Sequence, residues 1–326
     1  MSKQNPSVVD WLLEENEPSV RYLTLTSLLG HPTDSLDAKN AKAKIAKSDR
    51  VMALFDGQQA DGGFGCHPYE KWIGAHWRLP YLAELALPQS DKRASKAIEN
   101  VLAWLTGDHH KKHIRLLNGL TRRCASQEGN ALIACCHFGL AGDPRVTYLV
   151  DSLIAWQWPD GGWNCDKTKE AHHSSFHESV IPMRGLVAYH LATGHKQSLV
   201  AAKKTGEFML RHRLFRSEST GAIIEPKWLC LHYPMYWHYD ILQGLSSILE
   251  LGKIKDPRTA AALDIIEQKR LPDGRWKTDG YYWKSINSKG PYRSPVDWWR
   301  GQPNKMLTLN ALLVLKASGR LKKENL

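Results

Sequence analysis

Three turns along the chain share one spacing. LFDGQQADGGF runs from Leu54 through Gln58 and Gly62 to Phe64, LIAWQWPDGGW from Leu153 through Gln157 and Gly161 to Trp163, and IEQKRLPDGRW from Ile266 through Arg270 and Gly274 to Trp276. Each reads aliphatic, three residues, Gln or Arg, three residues, Gly, one residue, aromatic. An Asp-Gly turn alone is common, but the same register three times marks a repeat. The spacing describes a helix end: the aliphatic residue sits on the last buried turn, Gln or Arg reaches the free carbonyls, and Asp-Gly stops the helix. The aromatic then returns over the helix end.

Between the turns lie helix-period segments of two kinds. PSVRYLTLTSLLG (18–30), WIGAHWRLPYLAELAL (72–87), ASQEGNALIACCHFGL (125–140), HESVIPMRGLVAYHLA (177–192), YWHYDILQGLSSILEL (236–251) and KMLTLNALLVLKAS (305–318) are apolar nearly all round, as inner helices are. SLDAKNAKAKIAKSDRVMALF (35–55), DKRASKAIENVLAWLTG, DPRVTYLVDSLIAWQ, QSLVAAKKTGEFMLRHRLF and DPRTAAALDIIEQKR are more amphipathic and read as outer helices. Two open on Asp-Pro-Arg, an N-cap followed by proline at the first helical position. About six helical hairpins of roughly fifty residues result, the scale of a helical repeat unit. The expected fold is all-α, a single α/α toroid domain over residues 1–326.

The turns also carry a family resemblance. QWPDGGW, Gln157 to Trp163, resembles the QW repeats of the prenyltransferase and squalene-cyclase superfamily, whose α/α barrels alternate inner and outer helices in this way. The resemblance implies a central cavity and a prenyl or isoprenoid ligand. It does not carry over cyclase chemistry, because neither Asp-x-Asp-Asp nor Asp-Asp-x-x-Asp occurs. YWHYDILQGLS, around His238 and Gly244, is similar to the His-bearing helix of protein prenyltransferase β subunits. No Asp-x-Cys precedes it, so that family's zinc ligands do not transfer residue by residue.

If all inner helices run in one direction, the residues just before their starts converge on one rim. Cys66 and His67, Cys124, Cys165 with Asp166, His172, His173 and His177, and Cys230 with His232 and His238 all fall there. The chain's six cysteines are too sparse for a disulfide scaffold, which leaves reduced thiols or metal ligands. Thiolate with imidazole suits Zn2+. The expected ligands are Cys124, Cys165 and one of His173 or His177, with Cys230 or His238 as alternates. The plainer reading is a set of small buried thiols and histidines bonded to backbone.

A zinc with an open position would activate water or a thiolate, with His177, Glu178, Glu128, Tyr236, His238 and Asp240 as acid-base candidates. Asp166 and Asp240 also read as helix caps. Ser174 or Ser175 reads as a cap for the helix carrying His177 and Glu178 rather than as part of a triad. The stretch 275–305 has little periodicity and many aromatics. It is expected to be a lid, with Trp298, Trp299, Arg293 and Arg300 contacting an anionic substrate; the plainer reading is an aromatic plug.

A net charge of +11 favours an anionic small molecule. The basic runs at His109–His113 and at Arg211, Arg213 and Arg216 are short and belong to no nucleic-acid-binding motif. No segment nears the roughly 18 apolar residues of a membrane span, and the opening MSKQNPSVVDWLLEENEPSV lacks an export-type apolar run, so the expected location is cytoplasmic. The function expected is a toroid enzyme, with zinc as the candidate cofactor, acting on a partly apolar anionic molecule. The alternatives are a uronate lyase using Tyr236 with His173 or His177, and a non-catalytic binding scaffold.

Overall fold

The computed structural model describes residues 7–321. The first six residues of the opening stretch therefore lie outside the described residues. The fold is all-α. The chain runs through α1 (Val8–Leu12), α2 (Pro18–Leu23), a π-helical turn (Thr24–Leu28), α3 (Leu36–Ile45), α4 (Asp49–Phe55), α5 (Ala75–Glu84), α6 (Lys92–Leu105) and α7 (Asp108–Lys112). A two-stranded antiparallel ribbon follows, β1 (Arg115–Leu117) and β2 (Leu120–Arg122). Then come α8 (Ser126–His137), α9 (Pro144–Trp156), α10 (Phe176–Thr193), α11 (Lys196–Arg211), α12 (Ile241–Glu250), α13 (Ala260–Gln268) and α14 (Lys305–Ala317). No described helix is long and apolar enough to cross a membrane.

The aromatic of the repeated turns covers the helix end as the spacing predicts, but the Gln reaches the turn and the next outer helix rather than the free carbonyls of its own helix. The Gln157 amide donates to Gly161 O in its own turn and to Ala201 O of α11, both at 2.9 Å. Gln58 does the same to Gly62 O and to Arg93 O of α6. The indoles of Trp163 and Trp276 donate to Leu153 O and Ile266 O at 2.9 and 2.8 Å. Each thereby satisfies one of the carbonyls a helix end leaves free.

Outer helices begin on a second repeated device. Asp91, Asp143 and Asp256 each accept the backbone N–H of the arginine two residues on, at 2.8–2.9 Å, and that arginine folds back onto the same carboxylate. A side-chain oxygen on an orphan helix donor is the N-cap.

Inner helices pack in the order α5, α8, α10, α12, α14, α2. Leu23 of α2 and Glu84 of α5 face the same interior cavity as residues of α10, α12 and α14. The first and last helical units meet: Arg275, after the third turn, lies over Trp11 of α1 at 4.3 Å, and Lys305 of α14 pairs with Glu14 at 2.7 Å.

Two elements differ from the sequence reading. The outer segment 35–55 is two helices, because Ser48 turns back to bond Ile45 O and restarts the chain at Asp49. The helix expected from 236 starts at Ile241, since Asp240 caps it on Gln243 N and Tyr236 holds a positive φ of 49°. The stretch 275–305 is irregular, with Trp276, Trp283 and Trp298 buried.

Candidate functional site

Cys124 follows β2, Cys165 follows the second turn, and Glu178 is on the first turn of α10. A parallel bridge between Arg122 and Asn164, with Arg123 N donating to Asn164 O at 3.0 Å, lays the two cysteine-bearing segments side by side. The α10 start is locked to the turn by Trp163 N on Ser179 Oγ at 3.0 Å, which aims Glu178 at α8. One oxygen of Glu178 accepts Ser126 N at 3.0 Å, and the other accepts the Trp237 indole at 2.8 Å.

The two thiols and the carboxylate oxygen lie within 4.8 Å of one another. Cys165 Sγ is 3.6 Å from Glu178 Oε1. A tetrahedral zinc with bonds of about 2.3 Å to sulfur and about 2.1 Å to oxygen separates those ligands by about 3.6 Å. Glu178 is 1% exposed, and burial pushes its carboxyl above the usual range. The Cys124 thiol is pushed far up by its hydrogen bond with Cys165 and then by burial. Burial also keeps the neighbouring Tyr69 phenol protonated well beyond its normal range.

The expected histidines are not in this group. His177 and Glu178 are neighbours on one helix, about 100° apart, so only one can face α8. His177 instead lies against Trp237 at 4.6 Å, and burial lowers its pKa to about 4. His173 is exposed and engages Asn164 through its carbonyl. His238 stacks on Tyr282 at 3.6 Å, with burial lowering its pKa to about 3, and Cys230 is exposed.

Other candidates are held by local partners. Both Asp240 oxygens are used, one capping α12 and one on His232. Burial opposes protonation of His232, but Asp240 outweighs it and raises the pKa. Glu128 is buried in a network with Arg123 and His110. Ser174 bonds Asp160 of the turn, and Ser175 occupies the N-cap position without a side-chain cap bond. Asp166 accepts Thr168 N in a local turn. Tyr236 stacks on Trp72 at 4.5 Å and bonds Ser294.

A cavity of about 590 Å³ lies inside the inner helices. Tyr81, Asn130, Ile181 and Tyr236 form its closed end, and it extends past Gln89 and the exposed Leu191, towards the C-terminal ends of α5 and α10. Asn130 is one turn beyond Ser126, and Ile181 is three residues beyond Glu178. The thiol cluster is therefore about one helical turn, about 5 Å, from the closed end.

The cavity runs away from the rim where a lid was expected, and no residue of 275–305 lines it. Trp298 packs on Tyr81 and Tyr233, Trp299 carries Arg50 at 3.5 Å, and Arg300 lies over Tyr281 at 3.9 Å; Arg293 is exposed. Their aromatic faces are spent on packing, as in a plug.

Glu84 and Arg184 border the cavity and were not singled out from sequence. Their signal was readable: each is a charge in the middle or at the end of a largely apolar inner helix, where ionised residues are rare. No family model matches the chain, and no curated protein matches it.

Proposed function

We propose that the chain is a zinc-dependent enzyme with an α/α toroid architecture like that of the prenyltransferase and squalene-cyclase superfamily. In this reading Cys124, Cys165 and Glu178 hold the metal, and the fourth position is open to substrate or water. The 3.6 Å separation of Cys165 Sγ and Glu178 Oε1, in a site offering two soft ligands and one hard one, carries the reading. Bound zinc would supply a Lewis acid that lowers the pKa of water or of a thiol. The chain's own residues do the rest. Trp237 holds the orientation of Glu178, as outer-shell donors do at metal sites. His177 and His238, both neutral at pH 7, are positioned beside Trp237 as proton acceptors.

Metal analysis of protein purified without added metal tests the proposal. The expected result is about one zinc per chain, lost in Cys124→Ser and in Cys165→Ser. Folded wild type without metal, or zinc retained in both variants, would sink it. Affinity should also weaken as pH falls. The protons on Cys124 and Glu178 are held above their usual range and must leave on binding, which costs about tenfold per pH unit for each proton released.

A further inference from the structure

We propose that the central cavity binds an apolar molecule carrying an ammonium group, with the ammonium seated against Glu84. This goes beyond the metal reading and concerns different side chains.

The charges bordering the cavity are Glu84, Arg184 and Glu250. Arg184 is committed to Glu250 by a two-pronged pair, Nε and Nη2 to the carboxylate oxygens at 2.8–3.1 Å. Glu84 makes no ion pair within 4.0 Å among the described residues. The lining is thus net negative, with its guanidinium already occupied, although the whole chain is at +11. An anion entering here would face two carboxylates and an arginine it could not claim.

Two further observations point to the same ligand. The buried Tyr233 hydroxyl borders the cavity and hydrogen-bonds the Glu84 carboxylate, which places that carboxylate at the cavity wall. The rings of Tyr81, Tyr233 and Tyr236 also border the cavity, and aromatic faces attract cations. Ile133, Ile181, Val187 and Met235 provide apolar wall for the rest of the molecule. Burial raises the Glu84 pKa, opposed mainly by Arg184, and an ammonium would stabilise the charged form and drive proton release on binding.

The test compares three ten-carbon probes by calorimetry on the wild-type chain: decylammonium, decanol and decanoate. Decylammonium should bind about tenfold or more tighter than decanol, the scale of a charge-assisted hydrogen bond, and decanoate should be weakest. In Glu84→Gln the preference for the amine over the alcohol should collapse while decanol affinity is unchanged, which also reports an intact cavity. Equal or tighter binding of decanoate or decanol, binding by none of the three, or a preference that survives in a folded Glu84→Gln would overturn the proposal. Should Glu84→Gln fail to fold, the wild-type ranking alone decides.

Discussion

The first turn and the two later ones reach the same end by different atoms. In the second and third, a tryptophan covers the outer helix and its indole N–H bonds the carbonyl of Leu153 or Ile266. The first turn ends on Phe64, which has no N–H to give. There Arg78 of α5 lies over the Phe64 ring at 3.8 Å and donates to Leu54 O at 3.0 Å, the carbonyl equivalent to those of Leu153 and Ile266. The repeat therefore conserves a physical requirement, an apolar cover plus one donor at a helix end, rather than an indole. One residue meets it in two copies, and two residues, Phe64 of the turn and Arg78 of α5, meet it in the other.

The glycines of the three turns give the largest expected effects and the sharpest split. All three hold positive φ. A Cβ on Gly62 would lie 2.1 Å from Lys96 O of α6, and one on Gly161 would lie 2.5 Å from Lys204 O of α11. On Gly274 it would meet only the end of the Arg270 side chain at 3.1 Å and Val8 at 3.4 Å. Gly62→Ala and Gly161→Ala should each cost about 3–5 kcal/mol, adding backbone clash to left-handed strain. Gly274→Ala should cost about 1–2 kcal/mol, from strain alone. Urea midpoints measure all three. Equal losses would mean that the turns do not dock onto the next outer helix.

The donors come next. Arg78→Met strips donors from the carbonyls of Leu54, Asp56 and Ile73, and should cost about 3 kcal/mol. Trp163→Phe removes one donor and should cost about 1–2 kcal/mol. Adding Phe64→Trp to Arg78→Met should return part of the loss by supplying the indole N–H found in the other copies. No recovery in the double variant would show that Arg78 acts through its other contacts and that the copies are not equivalent.

Much of this was legible in the sequence because it is local. Turn spacing, Asp-Pro-Arg caps and the apolar density of the inner segments are set by neighbours a few residues away, and they appear as read. The meeting of Cys124 and Cys165 was also legible, as thiols placed just before inner helices. Glu178 was readable as an acid but not as the third member of the cluster. Whether it or His177 faces α8 depends on the phase of α10, which the Trp163–Ser179 contact sets from another segment. The cavity's direction was not legible either. It depends on Tyr236, Trp72 and the 275–305 segment filling the rim, a packing outcome among residues far apart in sequence.

The smallest effects again separate the first unit from the later ones. Arg145 and Arg258, after capping their own helices, reach back to Glu99 and Glu207 on neighbouring outer helices at 2.6 Å. Arg93, in the equivalent position of the first unit, bonds Ala46 O at 3.0 Å and lies over Phe55 at 4.2 Å, with no carboxylate from another helix among the described residues. Both glutamates are more than half exposed, so Glu99→Gln or Glu207→Gln should cost about 0.5 kcal/mol or less. That loss should vanish near 1 M salt, where screening acts within about 3 Å. Beyond the Asp91 pair of its own cap, which all three arginines share, Arg93 uses a neutral carbonyl and a ring, so most of the cost of Arg93→Leu should persist at high salt. A salt-independent penalty for Glu99→Gln would mean the glutamate packs rather than pairs, and the outer rungs would then be alike in kind as well as in position.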